Sequence, residues 1–253
     1  MSTFGQSKWN VALLIREHCF LNKMFSDYGL SMWSMVEWRH GSMGHDYYDK
    51  LEFGRGIGMK VFIVYCHPSK DSFTNDVYKS FERGLRDAGH EIIISDLYEM
   101  NFKTDISEEE YLRETYYIAD GIKSKDVLIE QEKIQNSDAI VFIYPVFWTE
   151  APAKLVGWFD RIWTTGFAYK PDPTMKVLEK ALFIVCAGKS MESLIETGEK
   201  SAMEIVMLGD RIRNRAKEKE MVIFDSMTHW NEEARSENIA RHLSKAYEMG
   251  IKF

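Results

Sequence analysis

At 253 residues and a formal charge of −7, the chain can bury one large or two small cores, and its acidic balance disfavours a nucleic-acid-binding face. With 45% hydrophobic and 28% charged residues it has an ordinary globular composition, and no apolar run approaches the ~18 residues of a transmembrane helix. Cys19, Cys66 and Cys186 are widely spaced, which gives neither a disulfide framework nor a zinc pattern; a reducing compartment, the cytoplasm, is expected.

Residues 1–58 differ from the rest. They are rich in Trp, Met, His and Gly and show no strand–helix alternation. A short amphipathic helix is expected over 11–24, and the apolar run 11–15 is too short for a signal-peptide core. Gly54, Gly56 and Gly58 imitate part of a dinucleotide fingerprint, but they precede a strand instead of following one. Gly54-Arg55-Gly56 can be encoded by a purine-rich stretch resembling a ribosome-binding site, two codons before Met59. Two readings follow: a mis-assigned start with Met59 as the true first residue, or an N-terminal arm that packs on the domain or a partner.

From residue 59 onward the pattern is regular. A continuous apolar strand is expected at 60–66, covered on both faces. A polar loop at 67–72 and an amphipathic helix at 72–88 follow, with Gly89 as C-cap. The next strand is placed at 91–97. A long acidic and aromatic connection, 98–124, carries a short helix within 107–118, and a helix at 125–136 leads to a strand at 139–144. The loop 145–152 precedes a helix at 153–163, with Pro152 suited to its first turn. A strand at 181–187 meets a loop at Gly188. A helix at 200–216, a strand at 220–225 and a helix at 231–249 ending at Gly250 complete the chain. Strands alternating with helices predict a doubly wound α/β domain, whose ligands bind beyond the carboxyl ends of the strands.

Three strand-end loops would then converge: 67–72, 145–152 and 187–191. In the first, Ser69, Asp71, Ser72 and Thr74 crowd a helix start, where unpaired amides and the helix dipole favour an anion such as a phosphate, with His67 close by. The same residues would also make an ordinary capped turn. In the second, Phe147 and Trp148 stand between two prolines, which suits a flat conjugated ligand or packing under the next helix. Trp158, Phe159, Ile162 and Trp163 lie at helical spacing and read as core or subunit interface. Cys66 reads as a packed thiol, His229 and His242 as surface residues, and 108–110 as a solvated helix start. With no acid–base, nucleophile or metal constellation, an enzyme here would rely on a cofactor.

HPSKDSFT after the first strand, SDLYEMNF after the second, YPVFWTEAPAKLVGWFDRIW around the third and GFAY beyond it resemble the NAD(P)H:quinone oxidoreductases. These DT-diaphorase-like enzymes belong to the flavodoxin-like superfamily. The resemblance spans 59–253, about three quarters of the chain. It implies a flavodoxin-like five-stranded parallel sheet with helices on both faces. It also implies a homodimer with a flavin in each site, and a hydride passed from NAD(P)H to flavin and then to a quinone in ping-pong order. By position, His67, Asp71, Ser72, Phe73 and Thr74 would bind the flavin's phosphate and ribityl region. Pro145, Val146, Phe147 and Trp148 would border its ring, Ala187 and Gly188 would cover its far edge, and Trp148 and Tyr169 would meet the substrate. The long connection 98–124 favours FAD over FMN. The chain departs from the family at Ala187-Gly188, where a Gly-Gly pair is usual, and at Glu192 and Gly198, near the places of a Tyr and a His that steady the reduced flavin. Lys189 or a helix N-terminus would have to replace them. A redox-sensing regulatory subunit of an ion-efflux system, docking through 1–58, is the alternative function. A flavodoxin-like electron carrier is disfavoured, because the Ser/Thr-rich phosphate loop of that group is missing.

Overall fold

The computed structural model describes residues 58–253. The readings of the 1–58 segment therefore fall, apart from Gly58, outside the described residues. β1 (Lys60–Tyr65), β2 (Glu91–Asp96), β3 (Ala139–Pro145), β4 (Leu178–Cys186) and β5 (Ala216–Phe224) form one sheet. Its order is β2-β1-β3-β4-β5 and every pairing is parallel. The intervening helices are α1 (Phe73–Asp87), α2 (Glu108–Thr115), α3 (Lys125–Gln135), α4 (Ala153–Ile162), α5 (Met191–Glu196), α6 (Glu199–Glu204) and α7 (Glu232–Ile251), with a π-helical turn at Ile205–Ile212. Strand order reverses between β1 and β3, which is the switch point of this doubly wound topology.

The strands are apolar on both faces because the sheet divides two cores. Phe62, Val64, Phe142 and Phe183 face one core with Trp158 and Phe159 of α4. There Phe142 stacks on Phe183 at 4.7 Å and meets Trp158 edge-on at 5.7 Å. Val61, Ile63, Val141 and Ile143 face the other with Val77, Phe81 and Leu85 of α1 and Ala246 of α7. The aromatic set on α4 is thus core, as its spacing predicts, and Cys66 is fully buried.

Five stretches differ from the sequence reading. β4 begins at Leu178 and β5 at Ala216, both earlier than expected. β5 lies at the sheet edge, so the alternating charges of its first half, AKEKE, tolerate solvent. The helix expected over 200–216 starts at Glu199 as α6, passes directly into the π-helical turn and ends at Ile212, and α5, unforeseen, precedes it, set off by Gly198 in the left-handed region at φ 76°. α7 runs through Gly250 to Ile251 instead of ending before it. The Glu108–Glu110 helix start is not wholly solvated either. Glu110 is buried, closes a capping box with Ser107 and takes the guanidinium of Arg161 at 2.9 Å.

Among the described residues, no helix is long and apolar enough to cross a membrane.

Candidate functional site

The β1 loop is a dense turn. His67 Nδ1 lies 3.0 Å from the Ser69 amide and 2.8 Å from the Ser69 carbonyl, accepting from the first or donating to the second according to its tautomer, with Nε2 outside the turn. Ser72 caps α1 by accepting from the Asn75 amide at 3.2 Å, and Asn75 Nδ2 returns to the Lys70 carbonyl at 2.7 Å. As the first two helical residues, Phe73 and Thr74 present amides with no intrahelical acceptor. Lys70 is held by Glu99, so the donors offered at this helix start are His67, hydroxyls and amides. Thr74 is buried at the start of α1.

The β3 loop is tighter than its two prolines suggest. Phe147 and Glu150 exchange both backbone bonds, at 2.8 and 2.9 Å. Trp148 and Thr149 between them lie at φ 52° and 68°, so the turn is of the I′ kind. Left-handed backbone at a Trp and a β-branched Thr is strained. Trp148 is 100% exposed and Phe147 half exposed, so neither packs under α4 as the bland reading had it. Pro145 is buried and Val146 half-buried, its amide bonded to the Cys186 carbonyl at 2.9 Å.

In the β4 loop Ala187 is buried, donating to the Phe224 carbonyl at 2.9 Å and accepting from the Met227 amide at 3.1 Å. Gly188 is exposed, and among the described residues the atoms nearest to a Cβ placed there belong to Thr228, at 3.6 Å. The protein's own packing does not require a glycine at 188, which leaves room over that loop for a ligand. Lys189 is not a free cation: Glu199 holds its ammonium at 2.7 and 2.8 Å. Glu192 lies in the first turn of α5 and Gly198 caps α6.

The three loops stand at the carboxyl ends of adjacent or near-adjacent strands around the switch point. Tyr169 is placed differently. Its hydroxyl donates to Glu114 of α2 at 2.6 Å and its ring meets Tyr117 edge-on at 6.4 Å. Burial, then the Glu114 bond, raise its pKa above the ordinary phenol value. The thiols of Cys66 and Cys186 are pushed up to about 12 by burial, which suits packing and not reactivity.

One residue of this region was misread. His242 is 3% exposed, not on the surface. Its ring stacks on Phe224 at 4.9 Å and lies 6.0 Å from Phe73. Nε2 donates to the Asp225 carbonyl at 3.0 Å, and Nδ1 is buried with no partner among the described residues, which fits the neutral Nε2–H form. The signal was available, because Ile239, His242, Leu243, Ala246 and Gly250 fall on one helical stripe. His229, by contrast, is exposed beside Glu232. Burial lowers the pKa of His242 below its usual 6.5, with Arg241 and Lys245 adding to this and Asp225 opposing it. A depressed histidine gives its full stability above about pH 6.5, and this is lost as pH falls and the unfolded chain takes up the proton first. His242→Gln keeps an N–H for the Asp225 carbonyl but does not titrate. Urea midpoints between about pH 7.5 and 5.5 should fall more steeply in the parent than in this variant; parallel slopes would remove the buried-neutral assignment.

The sheet order, the reversal between β1 and β3 and the loops gathered above it define a flavodoxin-like α/β protein. A family model described as "Flavodoxin-like fold" matches residues 59–246, and the chain belongs to that family. The structure superposes on an NAD(P)H:quinone oxidoreductase from Methanothermobacter marburgensis with a TM-score of 0.70 and 40% identity, covering 76% of this chain and 96% of that one. The ribosyldihydronicotinamide dehydrogenase [quinone] of Pongo abelii is 32% identical over 158 residues, 56% of this chain and 68% of the relative. The NAD(P)H dehydrogenase [quinone] 1 of Rattus norvegicus is 32% identical over 123 residues, 44% of this chain and 45% of the relative. The chain spans about half the length of several of the curated relatives it matches.

Proposed function

We propose that the chain is a flavin-dependent NAD(P)H oxidoreductase that passes a hydride to a quinone or similar electrophile in ping-pong order. The observation that carries this reading is the 40% identity to a quinone oxidoreductase over nearly all of that chain. The donor set supports it: amides, hydroxyls and His67 at the start of α1 suit a phosphate, and Gly188 leaves space that the protein does not fill. A bound flavin would take a hydride from NAD(P)H and hand it to the acceptor. His67, Asp71, Ser72, Phe73 and Thr74 would hold its phosphate and ribityl end. Pro145, Val146, Phe147, Trp148, Ala187 and Gly188 would border its ring. An exposed Trp148 at a rigid turn would meet a flat acceptor, with Tyr169 on the substrate side. FAD is the favoured flavin because the long 98–124 connection resembles that of FAD-binding members, where it helps cover the adenine end. A cytoplasmic homodimer completes the reading.

The visible spectrum of the purified protein should show bound flavin, and chromatography of the released cofactor should give FAD. Anaerobic NAD(P)H should bleach the protein and a quinone should restore its colour. A colourless protein that takes up no added flavin would overturn the site assignment.

A further inference from the structure

Glu199, the first residue of α6, touches two of the three switch-point loops at once. Its Oε1 accepts from the Thr149 hydroxyl at 3.3 Å and from Lys189 Nζ at 2.7 Å, while Oε2 takes Lys189 at 2.8 Å. Thr149 belongs to the strained I′ turn beyond β3 and Lys189 to the loop beyond β4. Among the described residues, no backbone bond joins the tip of that turn, Trp148 and Thr149, to the rest of the fold; the bonds of Phe147 and Glu150 are to each other. A β-branched residue at φ 68° persists only where its surroundings hold it there. The Glu199 carboxylate is partly buried and its pKa is lowered, first by the Lys189 bond, so it remains ionised and a strong acceptor at neutral pH.

We propose that Glu199 is a positioning residue that ties the Trp148 turn to the β4 loop and thereby sets the acceptor-binding face of the site. This rests on the oxidoreductase reading above. The bridge acts on where Trp148 stands and not on the hydride step, so its loss should appear in the acceptor KM and spare kcat. Losing part of the Trp148 contact with the acceptor, in a turn still closed by its two backbone bonds, should cost about tenfold in affinity, the order of one aromatic contact.

The test uses Glu199→Ala, Thr149→Val and their combination in the flavin-loaded full chain. Each single variant should raise the quinone KM about tenfold with kcat within about twofold, and the double variant should be no worse than Glu199→Ala, in which the Thr149 contact is already gone. Glu199→Gln still offers an oxygen to Thr149 and should recover most of the affinity. A second readout is independent of turnover: amide exchange at Phe147 and Glu150 should quicken in Glu199→Ala and in Thr149→Val. Unchanged KM with unchanged exchange, or a double variant equal to the product of the singles, would overturn the proposal. If the parent protein shows no NAD(P)H–quinone turnover while exchange in the turn still quickens, the oxidoreductase reading fails and the bridge stands.

Discussion

Arg161→Leu should destabilise the protein by about 3–5 kcal/mol, read as a lower urea midpoint at pH 7. Arg161 is 2% exposed and uses its whole guanidinium. Nη2 donates to Glu110 at 2.9 Å and to Ser124 at 2.7 Å, Nε to Glu110 at 3.1 Å, and Nη1 to the Lys103 carbonyl at 2.8 Å and to Asp126. Its plane also lies over Phe102 at 5.3 Å. These partners come from the long connection and from α2 and α3, so one side chain of α4 fastens the whole excursion between β2 and β3. Removing it strands Glu110, which is buried, and loosens Asp126. Burial alone would raise the pKa of Asp126; the bonds and charge of Arg161 and the Ser124 bond outweigh this and bring it down to about 2. A depressed carboxylate stabilises above its unfolded value and loses this as pH falls through the folded one. The gap between parent and variant should therefore narrow from about pH 4 towards pH 2. Equal midpoints at pH 7 would mean that the connection is held elsewhere, for example by Lys154 on the Phe102 carbonyl at 2.8 Å. If the connection covers the far end of FAD, the same variant should release flavin more readily.

The part of the fold written in the sequence is the part where burial is uniform. The strands β1 and β3 read as continuous apolar runs because both faces are covered, and α1 shows its cap, its stripe and its terminal glycine. What was not legible depends on contacts between distant segments. Glu130 is fully buried yet looks like any helical glutamate paired with Lys133 one turn on; its partners Ser95 and the Trp158 indole are brought to it only by folding. Gly157 reads as a helix weakener until Thr104 is seen 2.6 Å from where its Cβ would lie. Of the edge strand β5, Ala216 falls in the expected helix and 217–219 in no expected element, because exposed alternation of Lys and Glu carries no apolar period. In the site, the loops and their order after the strands were readable. The strain at Trp148 and Thr149 and the Glu199 bridge were not, since Glu199 is 50 residues from Thr149 in sequence.

Gly250→Ala tests the last such contact and should cost about 1–3 kcal/mol, although alanine is the better helix former by about 1 kcal/mol. Gly250 lies inside α7, with space for hydrogen alone. A Cβ there would sit 2.4 Å from the Phe81 carbonyl oxygen and 2.8 Å from the Leu85 amide. Opposite it, a Cβ at Gly84 would sit 2.2 Å from the Tyr247 carbonyl oxygen. The obstacles are backbone, so no rotamer change relieves them and the two helices must move apart. Gly84→Ala should cost a similar amount. The pair combined should cost less than the sum, because once the helices separate, the second methyl meets less resistance. The effect should reach the site, since α1 carries the Ser72 cap and the Phe73 and Thr74 amides at its other end, and α7 carries His242 against Phe73. Flavin affinity should fall together with the urea midpoint in these variants. Stability lost with affinity unchanged would show that the start of α1 is fixed by its own turn, through Ser72 and Asn75, and not by the helix packed behind it.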